Sequence, residues 1–333
     1  MKTEDVHQWA ELSNEVGTLR KELRKVYNKL HKKESLDSLI VRAVKESLEV
    51  SPREQFPKPS KSRRKNIQEA WLCLSDWQIG KKTDSYNTQV AIERMSDLCD
   101  KVEQIVEERQ SYARLDTLHV ILQGDMVEGE TIFAGQPFEI DADLWQQAIR
   151  TVPEMIYDVL NRMSRIFSNI KVAAVAGNHG RSGTKNSGHN RRANWDLVSY
   201  EIAKLICERS GLNLDWDISD TWFVKQEVAG HGILCVHGDQ IGGGNPLPLT
   251  SINKKANGWT HNVPDWSYLS VGHHHSHASG ELNEGLYFFL SGSPEAGNEF
   301  AREKMGQGSL PSQRLAIFDR PTGLVSEHRL ILS

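Results

Sequence analysis

The chain has 333 residues, 25% of them charged and 38% apolar, a globular balance that excludes a disordered or fibrous protein. No run approaches the roughly 18 apolar residues of a membrane span, and the acidic, polar start lacks the basic-then-apolar pattern of a secretory signal. The net charge of −4 is uneven. Residues 1–66 carry 16 Lys/Arg against 10 Asp/Glu, a balance of +6, and the remainder carry 24 against 34, a balance of −10. That asymmetry reads as a basic arm on an acidic body.

In the first segment Trp9, Leu12, Val16, Leu19, Leu23, Val26 and Leu30 alternate at steps of three and four. This is a heptad seam over about three heptads, so residues 1–50 are expected to form a helical coiled-coil segment and a homodimer. The other reading is one amphipathic helix lying on the protein's own core. A second short helix is expected over Leu36–Leu48. Residues 51–68, with three prolines and the run Lys58, Lys61, Arg63, Arg64, Lys65, read as a basic linker.

From residue 69 to 333 short apolar runs alternate with longer helical patterns. Strands are expected at Trp71–Leu74, Leu118–Leu122, Val172–Val175, Trp222–Val228, Ile233–Val236, Tyr268–Val271, Leu286–Leu290, Leu315–Phe318 and Leu324–Leu330. Helices are expected at Gln89–Arg109, at Asp143–Phe167 with Pro153 bending or interrupting it, and at Trp195–Arg209. The pattern is βαβα early and mostly strands later, which implies layered α/β. The four cysteines, Cys73, Cys99, Cys207 and Cys235, form no C-x-x-C. Three of them sit in apolar runs and read as buried free thiols of a cytoplasmic protein.

Five of these strands end in Asp, Asn or His, usually beside glycine: Asp76-Trp77-Gln78, Gly124-Asp125, Gly177-Asn178-His179-Gly180, His237-Gly238-Asp239 and Gly272-His273-His274-His275. Each piece alone is an ordinary turn or helix cap. Together they place mixed oxygen and nitrogen donors at the edge of an α/β sheet where ligands bind. The donor set suits two divalent ions of the Mn²⁺, Fe²⁺ or Zn²⁺ type rather than Ca²⁺ or a thiolate zinc site.

This ordered set of motifs resembles the calcineurin-like metallophosphoesterase superfamily, over roughly residues 70–333. The resemblance implies a four-layer αββα sandwich and two metal ions, Mn²⁺ first among Mg²⁺, Fe²⁺ and Zn²⁺. It implies one ion held by Asp76, Gln78, Asp125 and His275, and a second held by Asp125, Asn178, His237 and His273, with Asp125 bridging. His179 would be catalytic, acting on the leaving group or the phosphate. His274 and His277 lie off the motif. Two departures stand out: Gln78 replaces a usual His, and Gly180 replaces the acid that often orients the catalytic His.

Within that superfamily the motifs and the tail Gly292-Ser293-Pro294, Glu299-Phe300-Ala301 and Pro311-Ser312-Gln313-Arg314 look most like SbcD-type DNA repair nucleases and their phage relatives. The loop 180–192 carries Arg181, Lys185, Arg191 and Arg192, cations that suit a phosphate backbone. A glycine-rich loop from Gly242 through Lys254, Lys255 and Trp259 could supply a stacking ring. The expected activity is hydrolysis of DNA phosphodiesters, exo or endo, with no membrane association and with a partner ATPase an open question. The alternatives are a small-nucleotide phosphodiesterase or phosphatase, and a catalytically weak nucleic-acid-binding protein.

Overall fold

The apolar run Ala70–Leu74 is the C-terminal part of β1 (Ile67–Leu74) and is buried on both faces because it lies inside one sheet and beneath another. A computed structural model of the chain describes residues 64–133, 135–182, 191–242, 247–295 and 309–333, with Arg42 and Pro59 as isolated positions. The expected coiled coil, the Leu36–Leu48 helix, most of the linker and Lys185 lie outside the described residues. The first strand starts at Ile67, earlier than expected and inside the last two residues of the linker span.

The described strands are β1, β2 (Arg114–Leu122), β3 (Asn169–Ala174), β4 (Asp215–Ile218), β5 (Phe223–Val228), β6 (His231–Val236), β7 (Tyr268–Val271), β8 (Ala278–Asn283), β9 (Leu286–Leu290), β10 (Ser312–Asp319) and β11 (Gly323–Ile331). They form two mixed sheets. The first has the order β11-β10-β1-β2-β3-β4 and the second β5-β6-β7-β9-β8. In the first, β1 to β4 run parallel, β10 pairs antiparallel with β1, and β11 pairs antiparallel with β10. In the second, β6, β7 and β9 run parallel, flanked by antiparallel β5 and β8.

The sheets face each other across one core, in which Trp71, Cys73, Ile121 and Ala173 of the first meet Val224, Ile233, Cys235 and Phe289 of the second. Trp71 stacks on Phe289 with ring centroids 5.5 Å apart, and its Nε1 donates to Gln226 Oε1 at 2.9 Å. Gln226 Nε2 in turn donates to Val120 O at 3.1 Å. A buried polar group between sheets is tolerated because it is hydrogen-bonded at both ends.

Helices cover both outer faces. In α1 (Thr88–Gln110) the side chain of Asn87 caps Val90 N, and Ala91, Met95, Leu98, Cys99, Val102 and Val106 form the buried stripe, the three-and-four spacing of one helical face. This helix packs on β2 and β11, α3 (Trp195–Arg209) packs on β4, and α2 (Val152–Met163) lies against both helices. On the second sheet, α4 (Leu249–Thr260) places Ile252, Ala256 and Trp259 onto Leu234, Leu269, Leu286 and Phe288. The layers therefore run helix, sheet, sheet, helix. No described helix is long and apolar enough to cross a membrane.

Three expectations need correction. The helix expected over Asp143–Phe167, with Pro153 bending or interrupting it, is a π-helix at Gln146–Thr151 running into α2, and it stops at Met163, short of Phe167. Pro153 has no N–H to give the preceding turn, and the widened turn accommodates that missing donor. The segment read as a glycine-rich loop contains α4, and Trp259 is buried with its ring 5.0 Å from that of Trp222, so it is not a free stacking platform. Strands β4 and β8 are short and polar, which hides them from a reading based on apolar runs. All four cysteines are free and buried.

Candidate metal centre

Because β1, β2 and β3 run parallel, their C-terminal ends lie side by side, and those of β6 and β7 meet them from the other sheet. Backbone bonds zip the first two loops together: Asp76 N to Gly124 O at 3.0 Å, Gln78 N to Asp125 O at 2.9 Å and Ile79 N to Met126 O at 2.9 Å. These loops bend sharply. Among the described residues, seven that are not glycine have positive φ, and five of them are Asp76, Gln78, Asp125, His273 and His275. Such backbone is unfavourable for ordinary side chains and persists where surrounding structure imposes it, often at functional sites.

Asp125, His237 and His273 offer ligand atoms that all lie within 4.8 Å of one another; these three residues can hold a metal ion. His237 Nδ1 lies 2.9 Å from Gln123 O, and a carbonyl can only accept, so Nδ1 carries the proton. Nε2 then points into the centre, 3.1 Å from Asp125 Oδ2 and 3.1 Å from Asn178 Oδ1. The nitrogen thus faces a carboxylate oxygen and an amide oxygen, electron-pair donors that a cation or a proton satisfies. The electrostatics agree. Burial alone would lower the pKa of His237, but the charge of Asp125 raises it to about 10. Burial would raise that of Asp125, but His237 and His179 hold it well below the usual carboxylate range. His273, half-buried and facing His237, falls to about 3 and offers a neutral imidazole.

Beside this cluster, His275 Nε2 lies 3.4 Å from Asp76 Oδ1, and His275 Nδ1 lies 3.2 Å from Glu295 Oε2. Asp76 is fully buried and accepts hydrogen bonds from His273 N, at 3.2 and 3.0 Å to its two oxygens, and from Ser75 Oγ. Gln78 departs from the expected arrangement. Its Oε1 accepts from Lys81 Nζ at 3.0 Å, and its Nε2 is the atom facing His275 Nε2, at 3.4 Å. The side chain expected to give an oxygen to the first ion turns that oxygen away.

His179 stands at the rim. Its backbone N–H donates to Asp125 Oδ1 at 2.7 Å. Its Nδ1 lies 3.0 Å from Glu128 O and 3.2 Å from Glu128 Oε2, which leaves Nε2 for chemistry, 4.0 Å from Asp125 Oδ2. Burial would lower the pKa of His179, but Glu128 and Asp125 raise it to about 9. Phe133 lies against the ring at 5.4 Å between centroids.

A carboxylate thus stands against His179 from elsewhere in the chain, that of Glu128 in the loop after β2. Gly180 has a steric reason: a Cβ there would overlap Asn194 Oδ1 and press on Asp196. Asn194 caps α3 by accepting from Asp196 N at 2.8 Å and donates to Gly177 O at 2.8 Å. Asp196 is wholly buried and accepts four backbone N–H groups, from Asp125 (2.9 Å), Met126 (3.1 Å), Val127 (3.3 Å) and Gly177 (2.8 Å). It ties the second and third loops together. Burial and the charge of Asp125 raise its pKa to about 6.

Sequence reasoning missed Glu128, Asp196 and Glu295. Glu128 and Asp196 sit near the motifs and Glu295 within the tail, but carboxylates at loops and helix starts are common and carry no distinct signal. Of the basic loop, residues 183–190 lie outside the described residues. Arg191 donates to Ala176 O at 2.9 Å and pairs with Asp239 at 2.6 Å, so it braces the loop after β3 against the loop after β6. Arg192 is more exposed and pairs with Asp220 at 2.9 Å. Arg181 bridges to Asn194 through its backbone. His274 is half-buried with its ring 5.2 Å from that of His273, and His277 is likewise half-buried, outside the cluster.

No family model and no curated protein matches the chain. Solved structures similar to it include a Vps29 complexed with zinc from Entamoeba histolytica, at 14% identity over 78% of this chain and 99% of that one, with a TM-score of 0.34. A metallophosphoesterase from Sphaerobacter thermophilus is similar at 15% identity over 80% and 89%, TM-score 0.33. The purple acid phosphatase PPD1 from yellow lupin is similar at 10% identity over 82% and 55%, TM-score 0.32. At scores this low the chain's own geometry has to carry the functional reading.

Proposed function

We propose that the chain is a metal-dependent phosphodiesterase of the calcineurin-like metallophosphoesterase kind, acting on DNA with two divalent ions, Mn²⁺ the first choice. The observation that carries this reading is the convergence of Asp125 Oδ2, His237 Nε2 and Asn178 Oδ1 beside His273, with the Nε2 of His179 at the rim. These residues would hold an ion whose chemistry would be to lower the pKa of a water and draw charge from a phosphate. His179, kept protonated by Glu128, gives its proton to the leaving alkoxide. Asp125 Oδ1 accepts the His179 backbone N–H, so the residue that would help hold an ion also fixes the position of the acid.

DNA as substrate is supported by the motif resemblance and by the basic arm ahead of the acidic body. A homodimer through residues 1–50 belongs to the same proposal. The engagement of Arg191 with Asp239 and the −10 balance of residues 67–333 favour a second reading, a small-nucleotide phosphodiesterase. A panel of linear DNA, cyclic nucleotides and p-nitrophenyl phosphate esters with Mn²⁺ separates them. Cleavage of DNA above the small esters is the expected result. Turnover of small esters with intact DNA establishes the second reading, and no hydrolysis of any substrate removes both.

A further inference from the structure

The backbone of Gln78 is fixed, with its N–H bonded to Asp125 O and its φ at 45. What remains is which end of the amide faces the centre. An ammonium has only donors, so the atom 3.0 Å from Lys81 Nζ is the oxygen. The amide nitrogen then faces His275 Nε2 at 3.4 Å, and a protonated amide nitrogen cannot bind a metal.

The same ammonium lies 2.8 Å from Glu295 Oε1, while Glu295 Oε2 backs His275 Nδ1 at 3.2 Å. A carboxylate behind an imidazole fixes its tautomer and strengthens it as a ligand; a cation sharing that carboxylate takes part of the effect away. The side chains of Lys81 and Glu295 are 16% and 2% exposed, so solvent screens the pair little. Lys81 is itself anchored, its N–H donating to Gln78 O at 3.0 Å and its backbone bridging to Ile140. The hydrogen bond behind His237 in the neighbouring cluster, by contrast, goes to the neutral carbonyl of Gln123.

We propose that Lys81 is a positioning residue that weakens the first metal site, by holding the Gln78 oxygen away from it and by sharing the carboxylate that supports His275. This rests on the reading of Asp76 and His275 as metal ligands. It makes the two sites unequal by construction: the Asp125, His237, His273 site binds first, and the Asp76, His275 site fills only at higher metal concentration.

The test is calorimetric titration of Mn²⁺ into the metal-free full chain, with bound metal counted by elemental mass spectrometry and folding checked by thermal melting. Wild type, Lys81→Met, Lys81→Arg, Glu295→Gln, Gln78→His and the double variant Lys81→Met/Glu295→Gln are compared. The double variant leaves no unpaired buried charge. The wild type is expected to bind two ions, one weaker. Lys81→Met should tighten the weaker by roughly 10-fold, and Glu295→Gln should loosen it by roughly 10-fold or more, alone and in the double variant. Lys81→Arg should keep the wild-type value, and the tighter ion should be unaffected throughout. A purely structural role would shift Lys81→Met and Glu295→Gln in the same direction. Two ions with Lys81→Met unchanged or weaker overturns the role of Lys81 alone. A single ion in every variant, Gln78→His included, overturns the reading of Asp76 and His275 as a metal site, and the proposal with it.

Discussion

Asp125→Asn is expected to lose bound metal and hydrolytic activity together while keeping the fold. The substitution retains an oxygen to accept the His179 N–H, and the backbone N–H of residue 125 still reaches Asp196. What changes is the group facing His237 Nε2, where a carboxylate oxygen 3.1 Å away becomes a neutral amide. The centre loses a negative charge shared by every donor around it. Metal affinity should fall by more than the roughly 10–100-fold that loss of a mere supporting partner costs, and turnover should drop to that of metal-stripped protein. Elemental analysis and hydrolysis of a p-nitrophenyl phosphodiester read both effects, and circular dichroism reads the fold. Full metal content with near-normal turnover would remove Asp125 from the ligand set.

The second large effect separates the acid from the ligands. His179→Ala should cut turnover by roughly 100-fold or more and leave metal content intact, because the ring faces Glu128 while only its backbone N–H touches Asp125. Glu128→Gln should reproduce part of that loss, also with metal retained, since the neutral amide no longer stabilises a charged His179. Metal loss in His179→Ala would make it a ligand. Normal turnover in Glu128→Gln would deny Glu128 the role left vacant at Gly180.

The strand ends were legible because a site on a parallel edge writes itself into the chain as polar residues beside glycine after each apolar run. Asp76, Asp125, Asn178, His237, His273 and His275 were all readable that way, and the structure brings them to one place. The reason for the glycines is visible only in three dimensions: a Cβ at Gly177 would overlap the Asp125 carboxylate. Supporting residues were not legible. Asp196 looks like any acidic residue in the first turn of a helix, yet its carboxylate gathers four N–H groups from two loops. Glu128 and Glu295 reach their histidines through tertiary folding, and no spacing announces that. The amide of Gln78 could be placed at the centre, but its orientation depends on Lys81, three residues on, whose ammonium decides which end faces inward. β4 and β8 escaped because edge strands this short and polar have no continuous apolar run.

The most direct measurement of the central claim is anomalous diffraction from crystals of the full chain soaked in Mn²⁺. The account predicts a strong peak among Asp125 Oδ2, His237 Nε2, Asn178 Oδ1 and His273, and a weaker one beside Asp76 and His275. Data free of anomalous density at these residues, or a peak confined to surface carboxylates, would contradict it.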